Sequence, residues 1–547
     1  FFLEDQLTVP LAKLGEMEPE TKYYIRIRAF DASKPASRNT PYRVYTGEFV
    51  TPAQEKLTPA FATVEGGGTY SQGGRGGDVY VVTNLTDSVS DPQPGSLRYG
   101  LLRMDRSDGN KLAPRTIVFN VGGTINIDEN ASKSERRMNI TSNTTILGQT
   151  APGEGITIAG SSMKFTGENI IVRYMHFRLG DGYDLDAATA TGKYIVIDHC
   201  SFGWGVDEVF SAKEILNSSI QYNIISSGLA VPAKNAEKNS DAEVAAGESE
   251  AKHGMGSIIN GYEVSYTHNL WAHNGTRNPR FEGGFEYEDI RYENKIDYAN
   301  NVIYNWGHNS TYGGERGKGQ MNFVGNYYKP GPETLEKVKY QLFDCDVSGE
   351  YIGSYYIADN VLTSSEAVTS DNTLGFVGDG YNQLTSPVEL QVPYTATSAQ
   401  EAYMEVLNNA GASYFRDPHD QRLVNEVISG KGGFINSDEE AGGANKEVFT
   451  STYIDSDNDG LPDDYETANG LNPSDASDSA DIIQDETSIY NGYSNIEVYA
   501  GNLVEDWGNS TATIEPYYPH AEIISITDEN NTDIMAKIGR ASCRERV

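Results

Sequence analysis

The stretch DHCSFGWGVDE, from Asp198 to Glu208, opens with one acid, closes with two, and holds a His, a Cys and a Trp between them. Its first half is one of seven short segments in which a polar pair is followed by apolar or aromatic residues. These segments are YMHFR at His176, DHCSF at Cys200, QYNII at Asn223, THNLW at Asn269, ANNVI at Asn301, VGNYY at Asn326 and ADNVL at Asn360. The steps between them run from 23 to 46 residues, so the longer steps predict loops inserted into single coils.

A repeat of this length, built from short β-prone runs, predicts a solenoid of strands. The five asparagines of the repeat can then stack as a ladder, each amide bonding the backbone above and below. We expect His176 and Cys200 to occupy the same column, which makes Cys200 a buried scaffold residue and no nucleophile. We also expect structural roles for His199 and Asp198, whereas Trp204 belongs either to the core or to a sugar-stacking surface.

Four further residues lie at similar distances after the column. Asp184, Asp207 and Arg277 follow their column residues by eight, seven and eight positions, and Asp186 follows by ten. In a stack of equal coils, equal offsets mean equal positions around the coil, so the three acids should converge, with Arg277 a coil or two further along. Carboxylates this close repel one another unless they are protonated or bound to a cation. Oxygen ligands alone favour Ca²⁺ over zinc.

Nine ordered segments between about Pro59 and Gly432 resemble the pectate lyases of polysaccharide lyase family 1. They are GGRGGDVYVVTNL, PGSLRYGL, RTIVFNVGGTI, LGQTAPGEGITIAG, RLGDGYDLDAATA, IDHCSFGWGVDE, NGTRNPRF, NNVIYNWG and GNYYKPGP. The resemblance implies an all-β fold, a right-handed parallel β-helix with capping helices and small flanking modules.

The resemblance also implies a ligand set for Ca²⁺. Asp184 and Asp186 match the first two calcium aspartates of the family, and Asp207 matches the next. The family often places another acid four residues further on, where this chain has Ser211. Glu208 is the candidate substitute for that missing acid.

The same resemblance assigns the basic residues. Arg277 matches the catalytic arginine of the family and Arg280 a supporting arginine, while either Lys252 or His253 stands near the lysine that binds a substrate carboxylate. Cleavage of a uronic acid polymer by β-elimination removes the C5 proton beside a carboxylate. Ca²⁺ and cationic side chains lower the cost of that step by neutralising the carboxylate.

The segment DSDNDGLPDDYE fits the twelve-residue calcium loop. Asp455, Asp457 and Asp459 take positions 1, 3 and 5, Leu461 offers its carbonyl at position 7, and Glu466 takes position 12. The loop resembles those of dockerin-like or thrombospondin type 3-like modules, which leaves open whether it docks to a partner or stiffens a linker. Calcium at two places favours a secreted, extracellular protein.

The rest of the chain divides around these motifs. Residues 1–51 resemble the last strands of a fibronectin type III domain, and residues 59–432 form the predicted lyase domain, with helical periodicity in 398–432 that predicts an external cap. Residues 447–505 form the calcium-binding module and 506–537 stay unassigned. The basic tail 538–547, IGRASCRERV, resembles a translated sequencing adapter and is left out of the fold prediction.

Composition narrows the possible partners. The chain has 547 residues and a net charge of −36, which argues against nucleic acid or anionic lipid as a partner. No apolar run reaches the roughly 18 residues of a membrane span. The prediction is therefore a secreted pectate lyase that cleaves polygalacturonate with the help of Ca²⁺. One alternative is a hydrolase on the same scaffold, with Asp184 and Asp207 about 6.5–9.5 Å apart around a water; the other is a non-catalytic glycan-binding adhesin.

Overall fold

The computed structural model describes residues 57–182, 184–231, 253–314, 318–345, 352–378, 380–504 and 507, together with three strands near the termini. The chain forms two compact units. The larger unit contains residues 58–285 and 293–511, and the smaller contains residues 1–57, 286–292 and 512–547.

The larger unit is a right-handed parallel β-helix with three faces, which confirms the predicted fold class. Four long strands each contribute to two faces. The first half of each strand lies in the first face, and the second half lies in the second face and pairs with different neighbours. These strands are Ser162–Arg173, Ala188–Asp198, Phe210–Gln221 and Ile258–Thr267. The first face also contains Arg137–Thr141, Arg280–Phe281, Thr311–Gly313, Phe343–Cys345 and Phe376–Gly378.

The other two faces are built in the same way from strands that pair in parallel. The second face also contains Asp78–Val82, Arg115–Phe119, Thr144–Leu147, Lys295–Ala299, Gln320–Val324, Ser354–Ala358 and Asn382–Gln383. The third face contains Val121–Asn126, Ile156–Ala159, Met175–Arg178, Ser201–Gly203, Ile224–Ser226, Leu270–Ala272, Val302–Tyr304, Tyr327–Lys329 and Val361–Leu362. Phe449–Thr450 joins its first strand antiparallel.

The predicted asparagine ladder lies at the start of the third face. The side-chain oxygen of Asn269 accepts hydrogen bonds from the backbone and side-chain nitrogens of Asn223, both at 3.0 Å, and the same pair of bonds recurs down to Asn360. Asn372 adds one more member. The predicted place of His176 is wrong, because His176 pairs with Ser201 and Met175 is therefore level with Cys200.

Two helices cover the outer side of the third face, as the periodicity of 398–432 predicts. They are Ala399–Asn409, which begins with a capping box between Ser398 and Glu401, and Pro418–Ser429, which ends at a left-handed Gly430. Their apolar side chains pack on outward-facing residues of the face, a contact that includes Ile224, Leu270, Val302, Val406, Leu423 and Val427. The other described α-helices are Leu97–Leu101, Glu366–Ser370, Asp463–Asn469 and Asn495–Leu503.

The second face is covered by segments from both ends of the larger unit. Phe61 and neighbouring apolar residues of the N-terminal segment pack on Ile171 and Val196. Further along, Val118 and Leu147 contact a cluster that includes Leu461 of the calcium loop. Segments of the chain therefore cover the second and third faces.

The smaller unit contains an antiparallel sheet of Lys22–Ala29, Arg43–Val50 and Ser525–Thr527. Residues 286–292 belong to this unit and contribute to a two-stranded sheet of Phe285–Tyr287 and Ile290–Tyr292. The fibronectin type III likeness of residues 1–51 stays a prediction. In the described part of the chain, none of the helices has the length and apolar character needed to cross a membrane.

Candidate active site and metal sites

Three acids meet where two strands of the first face begin. Asp186 precedes the strand Ala188–Asp198, and Asp207 and Glu208 precede the strand Phe210–Gln221. One carboxylate oxygen from each acid lies within 4.8 Å of the others. That separation is about twice the distance of 2.3–2.6 Å from Ca²⁺ to an oxygen ligand, so the three acids fit one ion.

Backbone contacts hold these acids together. The Ala187 N–H donates to the Glu208 carbonyl at 3.0 Å, and the Glu208 N–H donates to Asp186 Oδ1 at 3.3 Å. Burial, together with the charge of Asp207, raises the pKa of Asp186 to about 6. A bound cation would remove this cost of ionising Asp186.

Asp184 is not one of the acids whose oxygens lie within 4.8 Å of one another, although the sequence counts place it with them. Its carboxylate is 3.8 Å from Lys133 Nζ. The counts fail because equal offsets assume connections of equal length: Ala188 follows Arg178 by ten positions, whereas their register partners Phe210 and Gly203 are only seven apart. Ser211, at the position where the family has an acid, instead accepts the Ile258 N–H at 3.0 Å and joins two coils. Asp184 as a calcium ligand stays a prediction.

Arg277 reaches the acids from a neighbouring coil. Glu208, Met255 and Thr276 form successive parallel bridges, which bring the chain before Arg277 alongside the acids. The Arg277 guanidinium forms an ion pair with Glu208, and its side chain is 20 % exposed. The Arg277 backbone has a φ of 59°, and its carbonyl accepts the Ser257 N–H at 2.7 Å.

Of the other basic residues predicted for the site, the structure describes Arg280 and His253. Arg280 lies half-buried on the first face, where it pairs in register with Ile258 and Tyr312. His253 lies two residues before Met255, and its backbone N–H donates to the Ala230 carbonyl at 3.2 Å. Lys252 lies outside the described residues.

The beginning of the opening stretch belongs to the scaffold. Asp198 forms ion pairs with Arg173 and His199, both at 2.7 Å; burial opposes ionisation of Asp198, but these partners lower its pKa to about 2. Cys200 is fully buried, and burial raises the pKa of its thiol. Trp204 is 2 % exposed and therefore lies in the core, not on a sugar-stacking surface.

The C-terminal segment adopts the turn expected of a calcium loop. Asp455, Asp457 and Asp459 bring one oxygen each within 4.8 Å. The Asp455 carboxylate accepts the N–H groups of Asp459 and Gly460 at 3.2 and 3.1 Å. The Leu461 N–H donates to Asp459 Oδ1 at 2.8 Å, and the Leu461 side chain is fully buried.

Asp478 joins the acids that could hold a metal ion here, although the sequence analysis did not select it. One carboxylate oxygen of Asp478 lies within 4.8 Å of an oxygen of Asp459 and of an oxygen of Glu466. The Asn472 N–H orients it by donating to Oδ2 at 2.8 Å, while Oδ1 is buried without a hydrogen-bond partner in the described part of the chain. Asp478 lies beyond the twelve-residue template, so the template could not find it.

Glu466 shows most clearly that this acid group suits a cation. It is fully buried, and neither of its carboxylate oxygens has a hydrogen-bond partner among the residues that the structure describes. Burial raises its pKa to about 7, with further contributions from Asp459 and Asp457. An unpaired carboxylate in such a position is costly unless an ion satisfies it.

Comparisons with known proteins identify relatives of this chain. No protein-family model matches the chain. A protein named "Probable pectate lyase C" from Aspergillus flavus is 36 % identical over 457 residues, covering 81 % of this chain and 94 % of that protein. A protein of the same name from Emericella nidulans is 35 % identical over 465 residues, covering 83 % and 94 %. Among solved structures, the cedar pollen allergen jun a 1 aligns over 64 % of this chain and 92 % of its own, with 16 % identity and a TM-score of 0.43.

Proposed function

Because this chain belongs to the pectate lyase family, we propose that it is a secreted enzyme that cleaves polygalacturonate by calcium-assisted β-elimination. One observation carries the proposal: Asp186, Asp207 and Glu208 converge beside Arg277 on the first face. Acids that can hold a hard cation and an arginine that can reach the substrate are the groups that such a reaction needs.

The residues of the three-acid group would hold Ca²⁺, with Asp184 as the further ligand that the resemblance implies. Bound there, Ca²⁺ would neutralise a uronate carboxylate and make the neighbouring C5 proton easier to remove. Glu208 contacts the Arg277 guanidinium and so keeps it at the edge of the acid group. From that position, Arg277 takes part in removal of the proton, and its partly exposed side chain leaves room for the sugar.

Other cations of the chain would orient the polymer. Arg280 lies on the first face and presents a planar donor pair, which suits a carboxylate. Lys252 or His253, which the resemblance assigns to substrate binding, would bind a second carboxylate. Together these groups create a local positive charge on a protein whose net charge is −36.

Incubation with polygalacturonate, with and without a chelator, tests this function. A lyase produces unsaturated ends that absorb ultraviolet light, and we expect the chelator to abolish them. Reducing ends without that absorbance would indicate the hydrolase, and the absence of both products would indicate an adhesin. Either result would reject the proposed function.

We propose that the C-terminal module also binds Ca²⁺, through Asp455, Asp457, Asp459, the Leu461 carbonyl and Glu466. The Leu461 side chain belongs to the same cluster as Val118 and Leu147 of the second face. This contact favours a module that stiffens the lyase domain over one that docks to a separate partner. Calcium is abundant outside cells, which supports secretion.

A further inference from the structure

We propose that Lys164 is a substrate-binding residue that holds a uronate carboxylate several sugar units away from Arg280. The inference rests on the proposed function, because it assumes a polyanionic substrate on the first face. It concerns how long a stretch of that polymer the enzyme binds.

Lys164 and Arg280 lie in one row across the first face. The register pairs Lys164 with Thr189 and Thr189 with Ser211. Ser211 bonds to Ile258 of the following coil, and Ile258 pairs with Arg280. These five residues are therefore level with one another on five successive strands.

The row faces outward. On each side of Lys164, Met163 and Phe165 are fully buried in the core, so Lys164 points away from it. On the strand of Arg280, the core residue is Phe281. Lys164 and Arg280 are both half-buried, and both side chains lie on the outer side of the face.

Two other lysines of these strands lie next to an acidic side chain, whereas, among the described residues, Lys164 does not. Lys193 Nζ lies 2.9 Å from Glu168, and Lys213 Nζ lies 3.9 Å from Glu282. Lys164, in contrast, has neither an ion pair nor a side-chain hydrogen bond within the described ranges. In a chain with a net charge of −36, a half-buried lysine without an acidic partner suits an external anion.

The spacing suits a polymer. Five successive strands place Lys164 about 19 Å from Arg280, at 4.7–4.9 Å per strand. The group of Asp186, Asp207 and Glu208 belongs to the two coils between them that follow Lys164. A polyuronate laid across the strands would meet Lys164 at one end, the acid group next, and Arg280 at the other end. A short oligomer bound at the acid group and Arg280 would not reach Lys164.

The test compares Lys164→Gln with Lys193→Gln, whose lysine has its own acidic partner. KM and kcat are measured on trigalacturonate, hexagalacturonate and polygalacturonate, and the thermal unfolding temperature confirms that each variant is folded. We expect Lys164→Gln to raise KM for the two longer substrates about three- to tenfold, with kcat within about twofold and trigalacturonate unaffected, as for a lost charged hydrogen bond. Lys193→Gln should change none of these values.

Two further measurements identify the charge as the cause. Lys164→Arg should bring KM most of the way back to that of the unchanged chain. Partly methyl-esterified polygalacturonate should reduce the difference in KM between Lys164→Gln and the unchanged chain, because a methyl ester carries no charge. An unchanged KM for hexagalacturonate in folded Lys164→Gln would overturn the inference while leaving the lyase function intact. An unchanged chain that produces no unsaturated ends would instead overturn the proposed function.

Discussion

Arg277 is the side chain whose loss should separate chemistry from folding most cleanly. We expect Arg277→Ala to lower kcat more than a hundredfold, a barrier increase of about 3 kcal/mol or more. At saturating Ca²⁺ the thermal unfolding temperature should change little, because a cation held by the acids would neutralise the Glu208 carboxylate that loses its arginine partner. Arg422→Ala, on a helix of the cap, is the matched control. Activity within about threefold of the unchanged chain would exclude Arg277 from the reaction.

Asp207 should control the affinity of the active site for calcium. In Asp207→Ala the group keeps only Asp186 and Glu208, so half-maximal activity should require at least about tenfold more Ca²⁺. The measurement is activity titrated against free Ca²⁺. A midpoint equal to that of the unchanged chain would remove Asp207 from the ligands. Asp184→Ala in the same titration decides whether the acid beside Lys133 joins them.

At the level of single elements, substitution of Asp478 tests whether a residue beyond the twelve-residue calcium loop also binds the ion. The short helical turn Asp478–Ala480 brings this acid to Glu466, although twelve residues separate them. Asp478→Asn should weaken calcium-dependent protease resistance of residues 447–504, while turnover at saturating Ca²⁺ stays unchanged. Asp475→Asn is the control, because the bonds of that exposed side chain to described residues stay within its own turn, at Ser477. Equal protease resistance in both variants would contradict the role of Asp478.

His268 should make the join between the N-terminal segment and the cap helix dependent on pH. Its ring lies 3.2 Å from Glu65 and 3.0 Å from Glu405. Burial lowers its pKa, but the two glutamates outweigh burial and raise the pKa to about 9. Because the folded pKa exceeds the ordinary value of about 6.5, this stabilisation is complete below about pH 6.5 and is lost as the pH rises through about 9.

Thermal unfolding of His268→Asn and the unchanged chain between pH 6 and 10 tests this expectation. The difference in unfolding temperature should be largest near pH 6 and should shrink by pH 10. A difference that does not vary with pH would show that His268 contributes only packing. The aromatic stack of His268 on Tyr222, with ring centroids 4.4 Å apart, accounts for any constant part.

In the molecule as a whole, we expect the C-terminal module to contribute to stability and not to chemistry. Removal of residues 447–547 uncovers Val118 and Leu147 and breaks the ion pair of Arg75 with Glu497, at 2.9 Å. We expect the unfolding temperature to fall by about 5 °C. Activity per folded molecule at 25 °C should stay the same, because the module contributes no residue to the three-acid group or to Arg277. A loss of turnover in folded, truncated protein would contradict this separation.

The sequence predicted features that depend on local or strictly repeated contacts. The asparagine ladder could be predicted because each member bonds to its equivalent on the next coil. The convergence of Asp455, Asp457 and Asp459 could be predicted because these acids lie within one twelve-residue motif. The places of Asp184 and Asp478 could not be predicted. The first depends on the connection from Arg178 to Ala188, which is three residues longer than the one from Gly203 to Phe210, and the second depends on how a distant turn packs against a helix.

The ladder has a consequence for how such an enzyme can change over evolution. Its hydrogen bonds join Asn223 to Asn269 across 46 residues in the same way as Asn301 to Asn326 across 25. The length of chain between two ladder asparagines therefore does not change the hydrogen bonds that join them. Doubling the length of the intervening loop adds only about 0.6 kcal/mol to the entropic cost of closing it. New segments can be inserted beside the substrate, and discarded again, while the architecture that carries the catalytic groups stays as it was.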